Sequence, residues 1–464
     1  MKNFKLFFLF AFFCSNLFAQ QFDEKGLFFT TNYTADEYKG ANQVWSIVQD
    51  KRGIMYFGNK HGVLEYDGIN WRKIPVRNST PVRPLTIDNN GRIYVGAVGE
   101  FGFLEPNEYG DLIYHSLSQY LPDKYQNFTD VWKIHIILEG IYFQSTELII
   151  RFQPNMLKQG KKTEDCLRVW KPENKILLST VVDDKLYMTI KKEGLYYIKA
   201  DSLKSLPKKH NYYINNAVQF KKKKWLLITY NQGTLFHFPI DSFSINKNFE
   251  LHNEYKTINY SFSKLTKNNL AFGTVKNGLF ITNTQGDIIH AIDKTQQLSD
   301  LMVLDIFLSE KQMLWLGTGN GITKIEYNTP IRFWNEINGF DGAVQVIIKH
   351  KGKIFIGTTI GVYQMIEPDK PGGIEKFKQI EGIRPQIWSF HEHIIEETDE
   401  KILLCGSGTG LYTIVDAKAK QLFGTSVIGT ICPLSDASDV LLLSLKSGVG
   451  IIRYEDGKGI EIVF

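Results

Sequence analysis

One repeated tile constrains this chain more than any other feature. Residues 54–68 read IMYFGNKHGVLEYDG, two apolar bursts around a short polar turn, and the pattern returns at 92 (RIYVGAVGEFGFLEP), 140 (GIYFQSTELIIRF), 185 (KLYMTIKKEGLYYI), 224 (KWLLITYNQGTLFHF), 269, 313, 353, 401 and 440. Registering the units on Gly58 gives positions 58, 96, 144, 189, 229, 273, 317, 357, 406 and 444, spaced by 38 to 49 residues. Six of these are glycine (Gly58, Gly96, Gly273, Gly317, Gly357 and Gly406); the others are Gln144, Thr189, Thr229 and Ser444.

Each unit also carries an apolar segment ahead of the tile, such as VWSIVQD at 44, and many carry a fourth behind it, such as NWRKIPV at 70. Four short strands joined by turns of Asp, Asn, Gly and Lys make a β-meander. No stretch past the leader shows a 3.6-residue apolar period, and a four-stranded period of about 40 to 45 residues is that of a propeller blade. The expected fold is all-β: a seven-bladed β-propeller of four-stranded blades over 20–329, then about three blades of a second, incomplete propeller over 330–464. The boundary rests on the count of seven and on Pro330, which interrupts the strand pattern. Blades bury their faces only against one another, so a three-blade arc is expected to leave apolar faces uncovered. Gly58 and its equivalents read as residues of the tight turn between second and third strands.

The leader MKNFKLFFLFAFFCSNLFAQ has basic Lys2 and Lys5, an apolar run from Leu6 to Phe13 and small Ala19, the pattern of a secretory signal peptide over 1–19. Its apolar run is too short to span a bilayer, and Cys14 lacks the small preceding residue of a lipobox. The exported chain is expected to be soluble and periplasmic. Taking the leader's two lysines from 54 basic residues leaves 52 against 49 acidic, a balance that demands no polyanion, so nucleic acid is not an expected partner. Cys166, Cys405 and Cys432 form no CxxC pair or disulfide framework; each reads as a small buried hydrophobe.

Motifs for chemistry are sparse. GTGNG at 317–321 and GSGTG at 406–410 resemble nucleotide loops, but a strand rather than a helix follows each, and the same glycines recur in phase elsewhere. His391-Glu392-His393 offers metal-ligand types, yet on a strand the two histidines share a face that Glu392 does not; these read as solvated strand-end residues. Lys221 to Lys224 occupies the hairpin position that Asp50 to Gly53 fills in the first unit and reads as a solvated turn. No GxSxG, HExxH or framed carboxylate pair is present, and neither a cofactor nor a metal is expected.

The repeat does supply geometry. Turns between second and third strands project from one face of a propeller with the inter-blade loops, placing Lys60, His61, Glu100, Phe101, Glu147, Lys192, Glu193, Asn231, Gln232, Lys276, Asn277 and Asn320 around one rim. Such mixed polar groups with a few aromatics suit a sugar or other polar ligand.

Residues 32–71, NYTADEYKGANQVWSIVQDKRGIMYFGNKHGVLEYDGINW, resemble the first repeat of the two-component regulator propeller proteins, especially the triple-tyrosine sensors of Bacteroidetes. The segment EYNTPIRFWNEINGFDGAVQVIIKHKGKIFIGTTIGVYQM from 326 is similar to that family's passage into its second propeller. The resemblance runs over 22–464, close at units one, seven and eight and loose at units three to five. It implies two seven-bladed propellers, a three-tyrosine β-sandwich, a membrane helix, and a histidine kinase or helix-turn-helix output. By that comparison the chain is expected to be a truncated or split product or a fragment of a longer reading frame; the alternatives are a ten-unit ring, or a partner polypeptide that completes the second propeller or carries the membrane and output domains. The expected function is a non-enzymatic periplasmic sensor of a glycan or other polar ligand. A lyase or glycoside hydrolase on the propeller, or a scaffold that binds only protein, is the alternative.

Overall fold

The computed structural model describes residues 24–199, 201–205, 214–221, 224–229, 234–239, 246–250, 259–395, 400–424, 426–434, 440–455 and 459–463. Residues 1–19, read from sequence as a signal peptide, together with Asn231, Gln232 and residues 222–223 of the lysine run, lie outside these. The described chain is all-β, ten antiparallel sheets of four strands. It divides into two compact units, Phe28–Ile331 with Pro371–Gly373, and Met1–Leu27 with Arg332–Lys370 and Ile374–Phe464.

In the first unit the first strands of the seven sheets are Val44–Gln49, Val82–Ile87, Val131–Ile137, Ile176–Val182, Ile214–Lys221, Asn259–Lys264 and Val303–Leu308. In six sheets the four strands follow in chain order, each paired with the next. First strands lie beside first strands: the first beside the second, the second beside the third, and the seventh back beside the first. The seventh sheet obtains its fourth strand from the opposite end of the unit, Thr30–Tyr33, which pairs antiparallel with Gly321–Ile325 in the register Thr30 to Ile325 and Tyr33 to Ile322. Side chains reinforce this joint. Thr323 Oγ1 donates to Asn32 Oδ1 at 2.7 Å, and Tyr33, Tyr38, Phe57, Tyr66, Trp71 and Trp315 form one aromatic cluster between first and seventh sheets.

The recurrent glycine is not in the turn. Gly58 lies inside the strand Met55–Asn59, paired with Ser46 on one side and Val63 on the other. What excludes a side chain is the neighbouring sheet. A methyl group on Gly58 would sit 2.5 Å from Ser46 Oγ and 2.8 Å from the Arg83 carbonyl oxygen; one on Gly96 would sit 2.6 Å from Val131 Cγ1. On Gly317 it would meet the Val44 carbonyl at 2.6 Å, on Gly357 Ile387 Cγ2 at 2.5 Å, and on Gly406 the Ile428 carbonyl at 2.8 Å. Apart from Ser46, which belongs to the glycine's own sheet, each obstructing residue opens, or immediately follows the opening of, the next sheet's first strand. A β-branched knob therefore seats on a glycine of the preceding sheet, and Val44, Val82, Val131, Val303, Ile387 and Ile428 are all fully buried. Burying each such side chain contributes about 1.5–3 kcal/mol.

In the third sheet, where the glycine is lost, the joint is rebuilt with polar groups. Gln144 accepts from Ser179 Oγ of the next sheet at 2.7 Å, and Ser179 in turn lies 2.7 Å from His135 Nε2. In the fifth sheet the glycine's equivalent is Ile228, paired with Asn216, not Thr229, which pairs with Ile214. Lys221 pairs with Lys224 across that sheet's first hairpin.

The second unit holds three sheets whose first strands are Val344–His350, Ile387–Ile395 and Ile428–Pro433, the first beside the second and the second beside the third. The segment before Phe28 belongs to this unit: the Lys25 and Gly26 amides donate to Glu375 at 2.9 and 3.0 Å. Cys166 and Cys405 are buried, whereas Cys432 is exposed, because it lies beside the buried Ile431 on a strand that alternates outward there.

Gly317→Ala should lower the unfolding free energy by about 1–3 kcal/mol, because the Val44 backbone cannot yield to the added methyl. Gly408→Ala, whose nearest atom would be the Gln386 carbonyl at 3.8 Å, should change it by less than about 0.5 kcal/mol. Urea titration of both variants checks this.

Candidate ligand-binding site

Every one of the ten first strands carries a bulge one residue past its knob. The register steps from Val44 to Ser46, from Val82 to Leu85, from Val131 to Lys133, from Val303 to Asp305, and equivalently in the rest. A bulge leaves its extra residue unpaired and re-aims its side chain. Val44 pairs with Asn59 beside the second turn of its sheet, so the bulges lie at the end of the sheets where those turns project.

Three consecutive sheets bring their bulged side chains together. The Arg83 guanidinium carbon lies 3.9 Å from the Trp45 ring centroid and 5.2 Å from that of Trp132, while the two indoles meet edge to face at 6.4 Å. A cation on an indole face is attracted by the ring quadrupole. Arg83 Nε also donates to Asp130 Oδ1 at 2.9 Å. The carboxylate offsets the charge and holds the guanidinium beside both rings. Trp45 is half-buried and Trp132 is 38% exposed, so the cluster is an ordered surface open to solvent.

One residue further along these strands the lining becomes ionisable. Lys133 and Asp305, from the third and seventh sheets, attract one another, and Asp305 Oδ2 accepts the Ile47 amide at 2.7 Å. Burial pushes the Asp305 carboxyl up to about 6 despite that hydrogen bond and the lysine. Burial lowers Lys133, and burial together with Lys133 takes His135 down to about 3, so its imidazole stays neutral.

The turn residues singled out by sequence fare differently. Lys60, His61, Lys192, Lys276 and Asn320 are exposed at the turns, and Asn277 is half-buried there. Glu147 and Glu193 are committed to holding their turns against the segment leading into their own sheet. Glu147 Oε2 accepts Thr129 Oγ1 at 2.8 Å, and Glu193 accepts Asn174 Nδ2 and the Tyr196 hydroxyl, both at 2.8 Å. These hydrogen bonds hold the Glu193 carboxyl below its usual range. Asn59 does the same in the first sheet, donating to the Ala41 and Gln43 carbonyls and accepting the Ala41 amide. Glu100 and Phe101 are not rim residues. The second sheet turns at Val98-Gly99, which leaves both at the start of the strand Glu100–Pro106 and buried; Glu100 accepts from the Tyr114 and Ser116 hydroxyls, and Phe101 packs on Phe128 and Phe143.

His391 to His393 lie inside the strand Ile387–Ile395 rather than at its end. Glu392 receives Lys401 Nζ of its own sheet at 2.7 Å and lies 2.7 Å from His350 Nδ1 of the neighbouring sheet, so its carboxylate is committed to these two partners. Among the described residues no three His, Cys, Asp or Glu side chains are placed to share a metal ion.

The raised Asp305 carboxyl gives a signed expectation. A folded-state pKa above the unfolded value stabilises the protein at pH below about 4, and this contribution is lost as pH rises through about 6. His135, neutral when folded, acts in the opposite sense over a similar range. Asp305→Asn leaves the His135 effect in place and keeps the Ile47 hydrogen bond. The variant's melting temperature should therefore rise relative to the parent's between pH 4 and pH 7; an unchanged difference would show that the carboxyl titrates normally.

No protein-family model matches the sequence, and no curated protein sequence matches it. Solved structures do match. The extracellular domain assigned to a hybrid two-component system of B. thetaiotaomicron superposes with a TM-score of 0.68 at 18% identity, over 94% of this chain and 60% of that one. A second such domain from B. thetaiotaomicron gives a TM-score of 0.50 at 18% identity, over 92% of this chain and 58% of the other. The chain thus spans about 60% of the length of these structures, and it has their β-propeller fold.

Proposed function

We propose that this chain is an exported, non-enzymatic sensing propeller of a one- or two-component signalling protein. Its ligand, a glycan or another polar molecule with an apolar face, binds at the Trp45–Arg83–Trp132 cluster. We read the seven sheets of the first unit as one closed propeller and the three that follow as an arc of a second. The observation that carries the ligand reading is the convergence of three bulged side chains, two indoles and a guanidinium, from three successive sheets. Aromatic faces stack on the C–H faces of sugar rings while guanidinium and carboxylate groups take their hydroxyls.

Two features favour binding over catalysis. Asp130 is committed to Arg83, and Asp305 to the Ile47 amide, so neither carboxylate is poised to move a proton to or from a ligand at the mouth. The likeness to extracellular domains of two-component systems supports a sensing role. A ligand acts on such a module only through different affinity for two of its states.

Titrating the exported chain with a panel of soluble oligosaccharides, read by tryptophan fluorescence and calorimetry, tests this. Trp45→Ala, Trp132→Ala and Arg83→Ala should each weaken the best ligand by roughly 10- to 30-fold, the size of effect expected from truncating an anchor residue. Arg83→Lys should not restore binding, because a compact ammonium lacks the planar fork that contacts the indoles while bonding Asp130. Lys276→Ala in the sixth sheet should leave affinity within about twofold. Variants that bind as the parent does would move the site elsewhere.

A further inference from the structure

The cluster at Trp45, Arg83 and Trp132 offers more hydrogen-bond donors than the protein itself uses. Arg83 spends Nε on Asp130 Oδ1 at 2.9 Å. Its two Nη nitrogens have no acceptor among the described residues, although the side chain is only 20% exposed. Lys133 directly follows Trp132 and is half-buried. Its ammonium makes no hydrogen bond or ion pair among the described residues, and only the longer-range attraction of Asp305 acts on it. That attraction joins sheets that are not neighbours. The seventh sheet's first strand lies beside those of the sixth and first, and the third's beside those of the second and fourth, so the two charges attract one another across the space that the first strands enclose. None of the unspent nitrogens is sealed inside the fold, and a ligand at the mouth can reach them.

The acids beside them are already engaged. Asp130 holds Arg83, and Asp305 Oδ2 accepts the Ile47 amide at 2.7 Å. A charged donor covered by a ligand that brings it no acceptor pays its full desolvation cost, so an occupant of this mouth must bring acceptors. A sugar hydroxyl brings a donor along with its acceptor. A carboxylate or sulfate only accepts, and its bonds to guanidinium and ammonium are charge-assisted. We infer that the molecule bound at this platform is an acidic saccharide, a sugar ring stacked on the indoles and its carboxylate or sulfate groups taken by the Arg83 Nη nitrogens and by Lys133 Nζ. On the platform reading above, on which this rests, Lys133 is the residue that selects charge. Asp305 balances the lysine from a distance and, held by a backbone amide, does not compete for its hydrogen bonds.

Calorimetry of the exported chain with trigalacturonate, its methyl ester, galactotriose and sulfated galactotriose tests this. An anionic probe should bind roughly 10- to 100-fold more tightly than its neutral counterpart, the span expected of a hydrogen bond to a charged group. Which pair shows the difference distinguishes a carboxylate from a sulfate. Lys133→Met should reduce the preference to less than about threefold and Lys133→Arg should retain it, a split that a merely structural lysine does not produce. The circular dichroism of both variants should match the parent's. Equal affinity for charged and neutral members overturns the inference, as does an unchanged preference in Lys133→Met or failure of both anionic probes to bind. Neutral probes that bind, and that Trp45→Ala weakens, would leave the platform reading standing after such a failure. Probes that bind regardless of Trp45→Ala would take both readings down together.

Discussion

Everything in this chain depends on how closely one sheet can approach the next. A first strand opening on valine or isoleucine must lie against the second strand of its neighbour, and at Gly58, Gly96, Gly317, Gly357 and Gly406 the gap has no room for even a methyl group. The glycine is spent on this approach rather than on backbone freedom; the left-handed conformations fall to the residue after the turn, as at Gly62 and Gly410. Since a blade has two faces and each must be covered, the joint propagates from sheet to sheet until it meets itself. In the first unit Val44 on Gly317 is that meeting point, reinforced by the strand Thr30–Tyr33, which the chain laid down before the first sheet began.

Much of this was legible in sequence, and the failures have physical reasons. The period, the four-strand unit and the all-β class follow from the spacing of the tiles, because a four-stranded meander needs about that length. The role of Gly58 did not follow. A glycine near a turn and a glycine under a neighbouring strand look alike in one chain, and only packing separates them. The closing strand was equally hidden: Thr30–Tyr33 is four residues long, and its pairing partner lies nearly three hundred residues away. Thr229 was misregistered by one residue because the fifth tile lacks the glycine that fixes the phase of the others.

The candidate site shows the same division. Turn residues could be located by counting, and Lys60, His61, Lys192, Lys276 and Asn320 lie exposed between strands. Counting could not reveal that Glu147 and Glu193 are hydrogen-bonded to the segments beneath them. Glu100 and Phe101 lie just past the turn Val98-Gly99, which matches Lys60-His61 in length, and so fall in the buried strand that follows. The cluster that the sheets do assemble, Trp45, Arg83 and Trp132, carried a signal in hindsight: each residue directly follows a strand-opening valine, in VW, VR and VW. Those pairs mark a buried knob and then a bulge, and a large or charged residue placed at a bulge is aimed outward by backbone geometry rather than by its own preference.

That adjacency has a consequence for sensing. Val44 and Trp45 are neighbours in sequence, one holding its sheet against the seventh and the other facing solvent, and Val131 and Trp132 stand in the same relation two sheets away. On the proposed reading, a ligand bridging the two indoles would therefore pull on the same strand ends that set the spacing between sheets. Because the knobs seat on glycine, with backbone rather than flexible side chains beneath them, a small change of tilt at the mouth is not absorbed locally and passes to the next sheet. Close-packed interfaces of this kind switch between arrangements instead of deforming smoothly. On the proposed sensing reading, a ring with joints so stiff and an aromatic platform spanning three of its sheets would convert occupancy at the Trp45–Arg83–Trp132 cluster into a displacement of whole sheets.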